Sequence, residues 1–537
     1  MLLEALTVEG RPRTDSWDAQ RFVGPGVLGL LAVAGIGLLA LATRRGVALG
    51  SDSAAYIAAA RSFVQGSGLS WLSGGVEARP LVLHAPLYPL VLAGFEALSI
   101  DSLVAARVIN GLAFGLSILL FGILLHRLTR SWGFSLYGAL ILMCTGEFFA
   151  VYVWAMSDPL YIVLSLATLL LAVLFLEGGH LPLFVALSIG ASTAYLTRYV
   201  GLSLVAALAL VFLLTPGTSP FRRWAQAGVF VVAAVVPIGV WFARNAWLTG
   251  QIAGRTFGSS GASLLGGSEQ AASIILNWFL PLRLVDWLRE RSPLLTIAGL
   301  LGMVGLALIL GLSLHSRATR GQASSALMGF LMGVYSLAFL GLVGFSYLYS
   351  RPGTDINERT LSPVYPATLA MVLAMLAWFW SSRLGWLRGL VLVACVVFLR
   401  NKAVYTYGVI DDLRSRGEGY ASKAWQESPT IAKLVELSPD LVYTDDIAAV
   451  YLLASPNVYL VPLRLEVVTG LPRSDYEENL ETMRQRIDRH RTLLVLFRPD
   501  SLPPYLAPLD DLVADLVPLA RLDDGVIYGP GRGEAGQ

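Results

Sequence analysis

The sequence predicts a polytopic α-helical membrane protein of about eleven transmembrane helices, followed by a small extracytoplasmic α/β domain. Three observations lead there. Of 537 residues, 55% are apolar and only 14% charged, against about 25% charged in ordinary soluble domains, and the mean hydropathy is +0.65. Apolar runs of roughly 17 to 25 residues, the length a helix needs to cross hydrocarbon, recur between residues 24 and 400. After about residue 400 the composition turns charged and mixed, and apolar strand-like runs alternate with amphipathic stretches.

The predicted spans are 24–43, 102–125, 132–150, 158–176, 181–199, 200–215, 225–243, 294–313, 326–347, 363–380 and 387–400. The span 200–215 is the shortest of the first ten and the weakest of them. An odd count puts the termini on opposite sides. Short basic loops mark the cytoplasmic side: Arg11, Arg13 and Arg21 in the N-terminal tail, then Arg127 and Arg130, Arg222 and Arg223, Arg317 and Arg320, and Arg383 and Arg388. The tail, 1–23, is therefore cytoplasmic, and with no small-residue cleavage site after it the first span is read as uncleaved. The long segments 44–101, 244–293, 348–362 and 401–537 fall on the extracytoplasmic side of the plasma membrane, leaving 24–400 as the membrane domain. Arg44 and Arg45 break the charge rule; interfacial snorkelling and an anionic lipid headgroup explain them equally well.

The C-terminal part reads as an alternation. SPTIAKLVEL is a helix, DLVYT a strand, DDIAAVYLLA a helix with an acidic first turn, NVYLVPL a strand, DYEENLETMRQRIDRH a helix and TLLVLF a buried strand. Strands alternating with helices predict a parallel α/β domain of roughly 115 residues, large enough for its own core.

Several function classes are set aside. A net charge of +2 offers no basic surplus for nucleic acid. The two cysteines, Cys144 and Cys395, lie inside apolar runs, and the five histidines form no pair at metal-ligand spacing, so neither a disulfide framework nor a zinc centre is expected. Gly24, Gly26 and Gly29 spell G-x-G-x-x-G, but without a preceding strand the dinucleotide context is missing. Gly111 and Gly115 form a G-x-x-x-G suited to close helix packing.

Chemistry concentrates at the extracytoplasmic helix ends. The stretch GSDSAAYIAAARSFVQGSGLSWLSGGVEARPLVLHAPLYP, residues 50–89, opens as a helix with Asp52 in its first turn and Tyr56 one turn later on the same face. Asp158 opens a span in MSDPLYIVL, with Ser157 as a cap and Pro159 in the first turn; service to the helix terminus and a place in a site are both open. Arg198, in YLTRYVGL, either snorkels or serves a site, since arginine costs about 2.5 to 3.5 kcal/mol at mid-membrane. Arg244 and Asn245, in WFARNAWLTG, fit a stop-transfer arginine and a ligand site alike. DINERTLSPVYP, residues 355–366, sets Asp355, Glu358 and Arg359 beside an apolar helix, an arrangement that is costly unless it lines a watery cavity. His84 in HAPLYP caps the next helix or donates to an anion.

An apolar span, an Asp with Tyr four residues on, a Gly-rich turn and a Pro-Leu-Tyr-Pro segment, in that order, resemble the first extracytoplasmic loop of the GT-C glycosyltransferases. The resemblance is closest to the bacterial relatives of protein O-mannosyltransferases and of the lipid A aminoarabinose transferase. It implies that Asp52 is the catalytic base, with Tyr56 binding substrate on the same helix face, and that Asp158, followed by Pro-Leu, is a second catalytic acid beside the loop that holds the acceptor or sugar or orients the loop. It implies substrate-binding roles for Arg198 and Tyr199, and for Arg244 with Asn245 near a lipid-phosphate entrance. In Glu358-Arg359-x-Leu-x-Pro-x-x-Pro the arginine would bind the donor phosphate and Glu358 would share in substrate binding; Thr360 stands where relatives carry an aromatic, and His84 where many carry lysine.

The function so implied is inverting transfer of a sugar from a polyprenyl-phosphate-linked donor to an acceptor hydroxyl of unknown kind. Asp52 takes the proton while Arg359, with Arg198 and His84, stabilises the leaving phosphate. No cofactor is required; a divalent metal is compatible but not demanded, because arginines supply positive charge. A transporter or flippase for a lipid-linked or anionic substrate is the alternative, against which stands the clustering of polar groups at one depth. A non-catalytic scaffold is a third.

Overall fold

The computed structural model describes residues 20–72, 78–214, 219–280, 282–299, 323–381, 385–466, 471–489 and 491–531. Most of the predicted span 294–313 lies outside them, as do Arg11, Arg13, Arg317, Arg320 and Arg383. In chain order the helices are α1 Gln20–Ala42, α2 Ser51–Val64, α3 Leu87–Ala97, α4 Ser102–Thr129, α5 Trp132–Met143, α6 Gly146–Val151, α7 Asp158–Gly178, α8 Leu181–Thr197, α9 Leu202–Leu214, α10 Pro220–Thr249, α11 Leu264–Asn277 and α12 Leu282–Arg291. Then come Ala323–Tyr349, a single turn Glu358–Leu361, Tyr365–Trp380 and the long helix Gly385–Arg416. Among the described residues six helices are long and apolar enough to cross a membrane: Phe22–Ala42, Ser102–Thr129, Asp158–Gly178, Pro220–Thr249, Leu327–Tyr349 and Glu358–Trp380. Shorter apolar helices include α3, α5 and α8.

In lipid, helices are held by close packing and interhelical hydrogen bonds rather than by exclusion of water. Both are present. On α4, Gly115 lets α1 approach so closely that a Cβ there would stand 2.6 Å from Ile36 and 3.0 Å from the Ala32 carbonyl, the role expected of the Gly111/Gly115 pair. The Tyr152 hydroxyl donates to Ser117 at 2.8 Å, and Ser135 donates to the Gly122 carbonyl at 2.6 Å.

The expected single helix 132–150 is two helices. It breaks at Cys144 and Thr145, where Thr145 is extended and its hydroxyl lies 2.7 Å from that of Tyr365 while Thr406 donates to the Cys144 carbonyl at 2.6 Å. Thr406, more than 200 residues away in sequence, thus satisfies a carbonyl at the break and Tyr365 meets the Thr145 side chain, which hydropathy alone does not reveal. The boundary expected at residue 400 falls inside the continuous helix Gly385–Arg416.

Beyond that helix stands a five-stranded sheet. Numbering all strands in chain order, β1 Ser70–Leu72 and β2 Ala78–Pro80 form a hairpin in the first loop, and β3 Thr256–Phe257 pairs with β4 Ser350–Arg351. The sheet holds β5 Leu441–Thr444, β6 Val458–Leu460, β7 Thr492–Leu496, β8 Leu516–Leu522 and β9 Gly525–Pro530, in the order β6-β5-β7-β9-β8. β6, β5 and β7 are parallel as expected, and β7 is buried throughout because both faces are covered. The last two strands are antiparallel, which makes the sheet mixed rather than parallel. A two-residue turn, Asp523-Asp524, joins them, with Leu522 paired to Gly525.

Candidate active site

The Ser51–Val64 helix begins at Gly50, whose N–H donates to Ser53 Oγ at 3.1 Å, and its alanine-rich face is buried. Its first turn presents Asp52 beside the residues that open α7. Ala48 sits in a backbone bridge, donating to the Val153 carbonyl and accepting from the Ala155 N–H, each at 2.9 Å. That bridge brings Asp52 to the level of Met156, Ser157 and Asp158.

Four of the expected residues converge there. Arg359 Nη1 lies 3.3 Å from Asp52 Oδ2 and 4.0 Å from Asp158 Oδ2. Arg198, at the C-terminal end of α8, places Nη1 2.6 Å from Asp158 Oδ1. The two acids differ in access: the Asp158 side chain is 1% exposed and that of Asp52 36%, with Arg359 at 33%. A buried carboxylate without a partner is strongly disfavoured, so Asp158 depends on these arginines. The four stand where α2 begins, α7 begins, α8 ends and the turn before Tyr365–Trp380 begins, that is, at one end of the bundle.

His84 Nε2 is 3.8 Å from the other Asp52 oxygen. Burial first, and then the charges of Arg198, Arg255 and Arg359, hold its pKa below the ordinary 6.5 although Asp52 pulls the other way. The imidazole is thus neutral near pH 7. Tyr56 packs its ring 4.7 Å from that of His84 and edge-on to Tyr88 at 5.0 Å, and its hydroxyl meets Ser157 Oγ at 3.1 Å. Burial, and then Asp52, raise the phenol well above its ordinary value, so it stays protonated. Ser157 holds the expected N-cap position of α7, but its side chain makes no capping bond: its hydroxyl meets Tyr56 and also accepts from Arg198 at 3.4 Å.

Three expected residues lie elsewhere. The Tyr199 hydroxyl is 2.9 Å from the Val82 carbonyl and 3.1 Å from that of His84, and it accepts from Trp241 Nε1 at 3.0 Å. Arg244 donates to the Leu81 and Leu69 carbonyls at 3.1 and 3.3 Å, its guanidinium 4.5 Å over the Trp241 ring. Both fasten the first loop rather than face the acids. Glu358 lies near Glu147 and Lys402 rather than near the two acids, and the Lys402 Nζ is 3.1 and 3.2 Å from the Glu147 oxygens.

Arg255 is the residue that sequence reasoning missed. Its Nη1 lies 2.9 Å from Thr354 Oγ1 and 3.1 Å from Ser346 Oγ, and its charge reaches His84 and Arg198. Nothing in IAGRTFG distinguishes it from a solvated loop arginine. Among the described residues no three His, Cys, Asp or Glu side chains form a metal-holding group, and arginine is the cation facing both acids.

No family model matches the chain, and no curated protein matches it in sequence. Among solved structures it is similar to ArnT from Cupriavidus metallidurans bound to undecaprenyl phosphate, with 16% identity, a TM-score of 0.56 and coverage of 94% of this chain and 98% of that one. The apo state of the same protein gives a TM-score of 0.57 at 16% identity, covering 94% and 97%. The Archaeoglobus fulgidus oligosaccharyltransferase in complex with Zn and sulfate is similar at 13% identity, with a TM-score of 0.55 over 91% of this chain and 71% of that one. Identity this low shows the fold, and the fold is the one that the first loop and the late Glu-Arg motif imply: the chain has the GT-C fold of these membrane glycosyltransferases.

Proposed function

We propose that this chain is a membrane glycosyltransferase that moves a sugar from a polyprenyl-phosphate-linked donor to an acceptor hydroxyl, with inversion, on the extracytoplasmic face of the plasma membrane. The observation that carries it is the single Arg359 nitrogen facing both acids, 3.3 Å from Asp52 and 4.0 Å from Asp158, with Asp52 open to solvent and Asp158 closed to it. The fold shared with a protein solved bound to undecaprenyl phosphate supports the choice of donor.

In the reaction, Asp52 takes the proton of the acceptor hydroxyl as its oxygen attacks the anomeric carbon from the face opposite the phosphate. The bond from that carbon to the phosphate oxygen breaks, and polyprenyl phosphate leaves with the electron pair. Its charge is met by Arg359, which turns from Asp52 to the phosphate, and by the Arg198 field. Asp158 holds Arg198 and Arg359 in place. His84, neutral, donates one N–H. The positive charge comes from the protein, so a divalent metal is not demanded. In this reading the N-terminus is cytoplasmic, and the site and the C-terminal sheet lie outside the cytoplasm.

Purified protein in detergent, given mannose-, glucose- and pentose-bearing undecaprenyl phosphates and hydroxyl acceptors, should release undecaprenyl phosphate. Donor that stays intact with every acceptor, yet crosses between leaflets when the protein is placed in vesicles, identifies a flippase instead.

A further inference from the structure

The C-terminal sheet reaches the segment that carries Asp52. Leu49 lies next to Ala48, which is bridged to Val153 and Ala155. On its other side, the Tyr420 N–H donates to the Leu49 carbonyl at 2.9 Å, and Leu49 bridges Gly419 in parallel. Gly419 has φ +58, and a Cβ there would stand 2.1 Å from the Leu49 oxygen. Only glycine permits that approach. Tyr420 is fixed at its far end as well: its hydroxyl donates to Asp446 Oδ1 at 2.8 Å, and the same oxygen accepts from the Ala449 N–H at 3.1 Å.

Asp446 follows the carboxyl end of β5, where a parallel α/β sheet ordinarily receives a ligand. Here the protein's own Tyr420 occupies that position. The helix opened by Asp446, Ile447–Leu453, lies on α2: Tyr451 and Leu452 pack against the cluster holding Tyr56 and Tyr88, and the Arg61 guanidinium stands 6.0 Å over the Tyr451 ring. One rigid connection therefore runs from the sheet through Asp446 and Tyr420 to Leu49, three residues before Asp52.

We infer that Tyr420 is a positioning residue for Asp52: the C-terminal sheet, through Asp446, holds Gly419 and Tyr420 against Leu49 and so sets where the first turn of α2 presents its carboxylate. The inference rests on Asp52 as the base. Misplacing a reacting group by 1 Å costs on the order of a hundredfold, and loss of one hydroxyl that leaves the backbone bridge intact costs less.

The test uses the full chain in detergent with whichever of the three undecaprenyl-phosphate sugars turns over. Tyr420→Phe should lower kcat about tenfold with donor KM changed less than about twofold, the signature of an interaction that matters only in the transition state. Asp446→Asn, which keeps an acceptor oxygen, should stay near wild type, while Asp446→Ala should match Tyr420→Phe and stands in for it should that variant not fold. In an Asp52→Asn background, Tyr420→Phe should cost nothing further. An undiminished loss in that background, a loss expressed wholly in KM, or wild-type kcat in Tyr420→Phe overturns the positioning role. Wild-type kcat in Asp52→Asn, or no turnover of any donor by the unaltered protein, overturns instead the reading of Asp52 or of the transferase, and the inference with it.

Discussion

Replacing Arg198 with alanine tests the pairing that keeps Asp158 inside the protein. The Asp158 side chain is 1% exposed, and the nearest cation is Arg198 Nη1 at 2.6 Å. The only other cation paired with it among the described residues is Arg359 Nη1, 4.0 Å away and closer to Asp52. Removing one partner of a buried ion pair typically costs about 3 to 5 kcal/mol, because the other charge is left unpaired. Arg359 takes up part of that load, so the expected loss is about 3 kcal/mol, the lower end of that range. At about 1.4 kcal/mol per factor of ten, the unfolding equilibrium shifts more than a hundredfold. Equilibrium denaturation of the purified protein in detergent at neutral pH measures it. The double variant Arg198→Met/Asp158→Asn should recover most of the stability, since replacing both charges with neutral groups of similar size removes the orphan. Its activity should not recover. An Arg198→Ala protein within about 0.5 kcal/mol of wild type, the range of ordinary surface substitutions, or a double variant no more stable than the single one, refutes the pairing.

Arg359→Ala should nearly abolish donor use, while Arg359→Lys should keep part of it, since a point charge replaces only some of the guanidinium's fork of donors; equal loss in both is the contrary result in a turnover assay. His84 titrates below 6.5 in the folded state. Between that lowered value and 6.5 the unfolded chain binds the extra proton, so stability falls as pH drops through this window. His84→Gln should lose this fall, and denaturation series at several pH values should show the variant gaining on wild type as pH decreases; parallel profiles contradict it. A topology reporter fused after Gln537 should be active only outside the cytoplasm, and a cytoplasmic signal requires one span to be added or removed.

Six of the apolar spans and the Asp52 helix were legible because each rests on local pattern: run length for the spans, and a carboxylate with Tyr four residues later for α2. The convergence of Asp52, Asp158, Arg198 and Arg359 was legible through a resemblance of short motifs, and the four do meet. What local pattern could not carry was the direction in which a charged side chain turns. Arg244 and Arg198 look alike in sequence, both arginines near the extracytoplasmic end of a predicted span with an aromatic residue within two positions. One is taken up by the Leu81 and Leu69 carbonyls and the other by Asp158, a choice made by tertiary neighbours. Glu358 and Arg359 are adjacent, yet within one turn they face different partners, Glu147 with Lys402 and Asp52 with Asp158. The break at Cys144 and Thr145 and the role of Arg255 escaped for the same reason, because hydroxyls and carbonyls distant in sequence satisfy them.

The most direct measurement is single-turnover release of undecaprenyl phosphate by wild-type protein and by Asp52→Asn, with donor binding measured on both. Removal of a general base costs about 10²- to 10⁴-fold in rate, so the variant should bind donor as wild type does and release product at least a hundredfold more slowly. Near-normal release by Asp52→Asn would contradict the assignment of the base and turn attention to Asp158.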